Sequence, residues 1–151
     1  MNRDLQVKLA VYAHFAETGR RPSPDEVADR VGIAVSEVLD AYRQLRAQRV
    51  LLLEPNGASI RMAPPFSGVP TQHVVSAGGV SYFANCAWDA LGIPAALRQP
   101  ATVHSRCEQS MQPLHLPVGL GGPEGPEAHA GWLFHCAVPA AHWWDDLFVF
   151  T

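Results

Sequence analysis

The chain has 151 residues, 11 Lys and Arg against 14 Asp and Glu, 48% hydrophobic residues and a mean hydropathy of zero, the composition of a folded soluble protein and not of a disordered tail. A net charge of -3 gives no overall attraction to phosphate backbones, and Arg3, Asp4 and Lys8 interrupt the start where a secretion signal needs an apolar run. A cytosolic protein that neither spans a membrane nor gathers nucleic acid by bulk charge is expected, its three cysteines thiols or metal ligands and not disulfides.

In chain order, Leu5, Leu9, Tyr12, Ala13 and Ala16 recur at spacings of three and four, which predicts a first helix with one apolar face, stopping at Thr18-Gly19. Ser23, Pro24, Asp25 and Glu26 form a helix start: an oxygen acceptor, a proline at the first helical position and an acid three residues on. Gly32 ends that short second helix. A third opens at Ser36 or the residue before it, with Val35, Val38, Leu39, Tyr42 and Leu45 on one face. Residues 50–53 and 58–62 flank Pro55-Asn56-Gly57 and predict a hairpin, because Asn-Gly suits the turns that strand twist favours.

Three helices and a hairpin in this order predict a winged-helix-like unit over residues 1–63. Such a unit suggests DNA, and Arg43, Arg46 and Arg49 could meet phosphates. Glu37 and Asp40 on the same helix and a nearly neutral half argue instead for a packing or lid module, so DNA is not the expected partner.

The character changes at Pro64-Pro65. Before it stand nine Lys and Arg and three Pro; after it, two Lys and Arg, ten Pro and six of the seven His. A proline pair cannot continue a helix and donates no backbone hydrogen bond, so residues 64–70 read as a linker and 71–151 as a second unit. There, residues 71–76 and 80–83 around Gly78-Gly79 predict a hairpin, and residues 85–91 a short helix closed by Gly92 with Pro94 beyond. Residues 101–106 and 114–118 read as strands, 119–125 as a glycine-rich surface loop, and 130–138 as an apolar strand; 147–151 begin another. The fold class is α+β: the helical unit followed by a small mixed β-sheet core with short helices. Trp143 and Trp144 are expected to pack over a core, not to form an exposed patch.

One spacing carries chemistry. Cys86 and Asp89 lie three apart on a predicted helix, so their side chains leave neighbouring points of one face and can address one small substrate. A thiol near a helix N-terminus gains from unpaired N–H groups and the helix dipole, which lower its pKa, while apolar walls such as Trp88, Phe83 and Tyr82 would raise that of Asp89. A thiolate nucleophile and a proton-delivering acid would result. A free cysteine can equally pack as a small apolar residue, and the carboxylate argues against that alternative because an unpaired buried acid costs several kcal/mol.

The segment Ser81-Tyr82-Phe83-Ala84-Asn85-Cys86-Ala87-Trp88-Asp89-Ala90-Leu91-Gly92-Ile93-Pro94 resembles the active-site segment of the organomercurial (alkylmercury) lyases, whose Cys-Ala-x-Asp element carries the thiol and the acid. The winged-helix-like unit ahead of it, the Gly-Gly hairpin before it and Val103-His104-Ser105-Arg106-Cys107 after it follow the same arrangement. The resemblance implies protonolysis of a carbon–mercury bond. Cys86 would bind the organomercury cation and hold Hg(II), so that both site residues, Cys86 and Asp89, serve mercury as substrate and product; Asp89 would protonate the leaving carbon. No stored cofactor is implied, only a thiol reductant and a thiol-bearing acceptor of Hg(II) such as mercuric reductase.

In the family a second thiolate directly follows a segment like residues 143–151, which puts its expected position just past Thr151; the core over 71–151 is thus expected to lack its C-terminal end, which implies reduced or no turnover in this short form and binding that outlasts it. Cys107 and Cys136 read as small apolar residues of strands or turns. His104 with Cys107, or His135 with Cys136, could serve zinc, but adjacent strand residues point to opposite faces. A second reading, a winged-helix regulator that senses thiophilic metals through Cys86 without catalysis, stays open.

Overall fold

The computed structural model describes residues 2–136 and 138–146. Helix α1, Arg3–Thr18, starts where Asn2 Oδ1 accepts the Asp4 N–H at 3.0 Å, and ends where Gly19 turns left-handed at φ 71° and bonds Phe15 O. Its buried face is Val7, Ala10, Val11 and Phe15, not the expected stripe: Leu5 and Leu9 are 44% and 50% exposed. Both stripes have helical spacing. Phe15 decides between them, because its ring stacks on Phe66 with centroids 5.4 Å apart, and Tyr12 sits at the margin of that same contact.

Helix α2, Pro24–Val31, carries the predicted capping box: Ser23 Oγ accepts from Glu26 N and Glu26 Oε2 from Ser23 N. Helix α3, Val35–Ala47, buries Val38, Ala41, Tyr42 and Leu45, with Glu37 accepting the Ala34 N–H. Strands β1, Leu52–Leu53, and β2, Ile60–Ala63, form the expected hairpin, its turn held by Asn56 Oδ1, which accepts from Ala58 N and Ser59 N. Within the segment read as a linker, Phe66–Ser67 forms β3 and pairs antiparallel with β2.

The second sheet runs β5-β4-β6-β7-β8, with β4 Val74–Ala77, β5 Val80–Phe83, β6 Ala101–Arg106, β7 Pro113–Gly119 and β8 Gly122–Pro123. The overall α+β class is as expected, but the pairings among these strands are all antiparallel where a mixed sheet was predicted. Helix α4, Ala87–Leu97, carries the chain from β5 across to the far side of β4, so β6 meets β4 antiparallel. That helix also runs past its predicted stop. Gly92 is no terminator; a Cβ there would lie 3.3 Å from Pro65 Cβ, so the glycine permits close packing. Pro94 is absorbed inside the helix, which ends at Arg98 with φ 54°.

Residues 130–136, expected as a strand, form none, and Leu133 is 90% exposed. A strand needs a ladder partner, and edge strand β8 is two residues long and includes Pro123, which has no N–H to donate. Position 137 and the strand start expected at 147–151 lie outside the described residues. A short helix α5, Pro126–His129, and a 3-10 turn, Ala140–His142, follow among the described residues. Trp144 packs on Leu52 and Met62, as a core-covering role predicts. No helix among the described residues is long and apolar enough to cross a membrane.

One continuous apolar core extends from α1, α2 and α3 into β4, β6 and α4. Polar contacts pin the two halves as well. Tyr82 Oη donates to Ala16 O at 2.7 Å, Tyr12 Oη to Pro64 O at 3.1 Å, and Gly19 lies so close to β5 that a Cβ would stand 2.0 Å from Ser81 O. Gly19→Ala should therefore cost about 3 kcal/mol, combining a left-handed backbone with a collision. Gly57→Ala, equally left-handed at φ 69° but facing open space, should cost only about 1 kcal/mol. Urea unfolding of the two variants checks the difference.

Candidate functional site

The site is built at the head of α4. Beyond β5, Ala84 bridges antiparallel to Phe66 and its carbonyl accepts from Thr71 Oγ1 at 2.6 Å, which fixes where the strand ends. Cys86 then takes the extended N-cap conformation, φ -152° and ψ 179°, and its carbonyl accepts the first helical bond from Ala90 N at 3.0 Å. Asp89 is the third residue of the helix. N-cap and third positions are the pair whose side chains converge at a helix start, so the tertiary structure keeps Cys86 and Asp89 on one face, both half-buried.

Asn85, only 4% exposed, positions the acid. Its Nδ2 donates to Phe66 O at 3.2 Å and to Asp89 Oδ2 at 3.0 Å. A backbone carbonyl can only accept, so the amide nitrogen must face it, which leaves Asn85 Oδ1 buried without a hydrogen-bond partner among the described residues. An asparagine beside a cysteine carries no chemical signature in the sequence; only the approach of β3 brings the Phe66 carbonyl to Asn85 as an acceptor beside Asp89. Tyr12, on the apolar stripe expected for α1, also comes near the acid. Burial, with the nearby charge of Asp89 adding to it, pushes its phenol up to about 12.

Burial also governs the two central groups. It raises the carboxyl of Asp89 above its ordinary value, and the Asn85 hydrogen bond pulls partly back. Cys86 departs from expectation: burial lifts its thiol above the ordinary value, and the Asp89 and Cys136 charges add to the rise. The N–H groups of Asp89 and Trp88 at the helix start do favour the thiolate, but desolvation outweighs them. The resting group is therefore a thiol at neutral pH.

Of the expected walls, Tyr82 is turned away: its ring packs on Phe66 and its hydroxyl reaches α1. Trp88 is 58% exposed and tilts against Phe134, centroids 5.9 Å apart. Cys136, two residues beyond Phe134, is exposed, with Sγ 3.1 Å from Val138 O. Cys107 occupies the tight turn between β6 and β7, where the Ser110 hydroxyl and the N–H groups of Ser110 and Gln109 lower its pKa. Among the described residues no group of three or more His, Cys, Asp and Glu side chains could hold a metal ion. Of the arginines weighed for DNA, Arg43 pairs with Asp40, while Arg46 and Arg49 line a groove of about 330 Å³ together with Asp145 and Asp146.

Residues 66–148, more than half of the chain, match the family model of alkylmercury lyase. The chain belongs to the alkylmercury lyase family. Cys86, Asp89, Asn85 and Phe66 all fall within the matched span, and Tyr12 outside it. Residues 5–54 match the family model of sigma-70 region 3. Among solved structures, the crystal structure of the mercury-bound form of MerB2 has the same fold, with a TM-score of 0.62 at 22% identity, over 80% of this chain. The chain spans 59% of that protein's length. No curated protein sequence matches it.

Because Asp89 is harder to ionise folded than unfolded, its charge costs stability at any pH above its folded pKa, and that cost vanishes below the unfolded value. Asp89→Asn should therefore raise the melting temperature at neutral pH, and the gain should shrink to nothing as pH falls below the ordinary carboxyl range. Alkylation followed by peptide mapping should find Cys107 reacting at lower pH than Cys86, since their pKa values move in opposite directions. Asp89→Asn should bring the Cys86 midpoint down by removing a neighbouring negative charge.

Proposed function

We propose that the chain cleaves carbon–mercury bonds by protonolysis, with Cys86 as the sulfur ligand and Asp89 as the proton donor. The observation that carries this reading is the head of α4: a thiol and a carboxyl on one helical face, both biased by burial toward their protonated forms, with Asn85 holding one oxygen of the acid.

An organomercury cation replaces the proton on Cys86 Sγ; the S–H bond breaks and an S–Hg bond forms, because a soft cation prefers a soft sulfur ligand. The released proton passes to the Asp89 carboxylate, whose raised affinity for protons suits it to keep one. Asn85 Nδ2 occupies Oδ2, so the proton rests on the other oxygen, free to move to the metal-bound carbon. As that carbon takes the proton, the C–Hg bond breaks, the hydrocarbon leaves, and Hg(II) stays on sulfur until a second thiol removes it. Mercury is substrate and product throughout, and a small thiol or a thiol-bearing acceptor protein such as mercuric reductase completes the cycle.

Incubation with a phenylmercury salt and excess small thiol should release benzene, detected by headspace gas chromatography. Cys86→Ser should abolish it and Asp89→Asn lower its rate by about 100-fold or more. No benzene above a protein-free control, or full activity in Cys86→Ser, overturns the proposal.

A further inference from the structure

Two histidines of the second sheet form a pair that the head of α4 does not use. His104 on β6 and His115 on β7 stand directly opposite each other in the antiparallel register. Val103 and Leu116, the adjacent register pair, are buried in the core, so strand alternation turns both imidazoles to the outer face of the sheet. There His115 is exposed and His104 half-buried, and the rings meet edge to face at 80° with centroids 4.7 Å apart. Among the described residues no ring nitrogen of the pair has a hydrogen-bond partner. His73, by contrast, has Nδ1 2.7 Å from Ser105 Oγ, and His142 is held by Asp145. Pro113 and Pro117 flank His115 on the same face and carry neither a charge nor a side-chain donor. Arg106, two residues from His104, is drawn aside: its Nε donates to Gln72 Oε1 at 2.7 Å, and Gln72 reaches Glu108.

We infer that His104 and His115 form a two-imidazole chelate site, on the outer face of the sheet, for a divalent transition-metal ion of the Cu(II) or Ni(II) class. The site shares no residue with the head of α4 and stands independently of the mercury chemistry. The spacing of the rings carries it. With metal–nitrogen bonds of about 2.0–2.1 Å, two imidazoles on one ion have ring centres about 4.5 Å apart at a right-angled N–metal–N and about 5.2 Å apart at a tetrahedral one. The observed 4.7 Å falls between these and nearer the right angle. Turning a ring about its Cβ–Cγ bond, an axis that passes close to the ring centre, re-aims the nitrogens and keeps that spacing, so both can converge without movement of either strand. Neutral imidazole suits borderline divalent ions and not Ca(II) or Mg(II), which take oxygen ligands. A structural zinc site needs four protein ligands, and no third His, Cys, Asp or Glu joins the pair among the described residues. A tetragonal ion that completes its shell with water fits two nitrogens at a right angle. Because the ladder already holds the two side chains opposite each other, the second nitrogen binds intramolecularly and the ion fastens β6 to β7.

The experiment titrates the 151-residue chain with nickel chloride by isothermal calorimetry, Ni(II) being a probe that imidazole suits and that does not oxidise the three thiols. His104→Gln and His115→Gln should each weaken binding by at least about 10-fold, and the double variant should lose no more than either single one, since a chelate is already lost with its first ligand. His135→Gln should bind as the native chain does. Saturating Ni(II) should raise the urea midpoint of the native chain and leave those of the two single variants nearly in place, while midpoints without metal separate lost binding from lost fold. In the native chain, with no substitution at all, bound Ni(II) should protect His104 and His115 from diethylpyrocarbonate, read by peptide mapping, while His135 goes on reacting. Native affinity in either single variant, losses that add in the double variant as two independent sites would, or unprotected His104 and His115 under saturating Ni(II) overturns the inference.

Discussion

The arrangement at the head of α4 depends on one side-chain amide. Asn85 donates from a single nitrogen to the Phe66 carbonyl and to the Asp89 carboxylate, joining strand β3 to the acid through two hydrogen bonds. Phe66 is itself the hub of the interface between the halves: its ring meets Tyr12, Phe15 and Tyr82, and its backbone bridges to Ala84. Anything that shifts the helical unit relative to the sheet therefore moves the carbonyl that Asn85 needs. The N-terminal unit contributes to the site by fixing this frame, and Tyr12 brings one of its side chains close enough to feel the charge of Asp89.

Burial is the constraint that sets the chemistry. A helix N-terminus offers stabilisation to a thiolate, worth at most a kcal/mol or two, whereas removing a charge from water costs several. At Cys86 the second effect prevails, and at Asp89 it acts in the same direction. The two groups therefore hold their protons more tightly than free side chains, which suits an exchange in which a metal cation, and not a change of pH, displaces the proton. Cys107, in an exposed turn with three donors directed at its sulfur, represents the opposite balance.

Local signals were legible where a residue type meets a backbone requirement within a few positions. The capping box at Ser23 and Glu26, the Asn56 turn, the Gly78-Gly79 hairpin and the juxtaposition of Cys86 with Asp89 at a helix start all belong to this class, because their partners lie within ten residues of one another. So does the resemblance carried by residues 81–94, whose family the match over residues 66–148 bears out.

What the chain could not disclose locally is which surfaces meet. Two stripes of α1 had equal periodicity, and the stacking of Phe15 on Phe66 chose between them. Gly92 and Pro94 have the look of a stop, yet the helix runs through both, and the glycine leaves room for Pro65. The apolar run at 130–136 satisfies strand propensity but finds no ladder, since hydrogen-bond partners come from the sheet edge and not from composition. The sequence by itself determined the helix caps, the turns and the pairing of thiol with acid, all set by bonds spanning a few residues. The tertiary structure alone decided that burial outweighs the helix terminus at Cys86, that Asn85 links the acid to the Phe66 carbonyl, and that Tyr12 comes near enough to feel its charge, because desolvation and long-range hydrogen bonds exist only once distant segments pack.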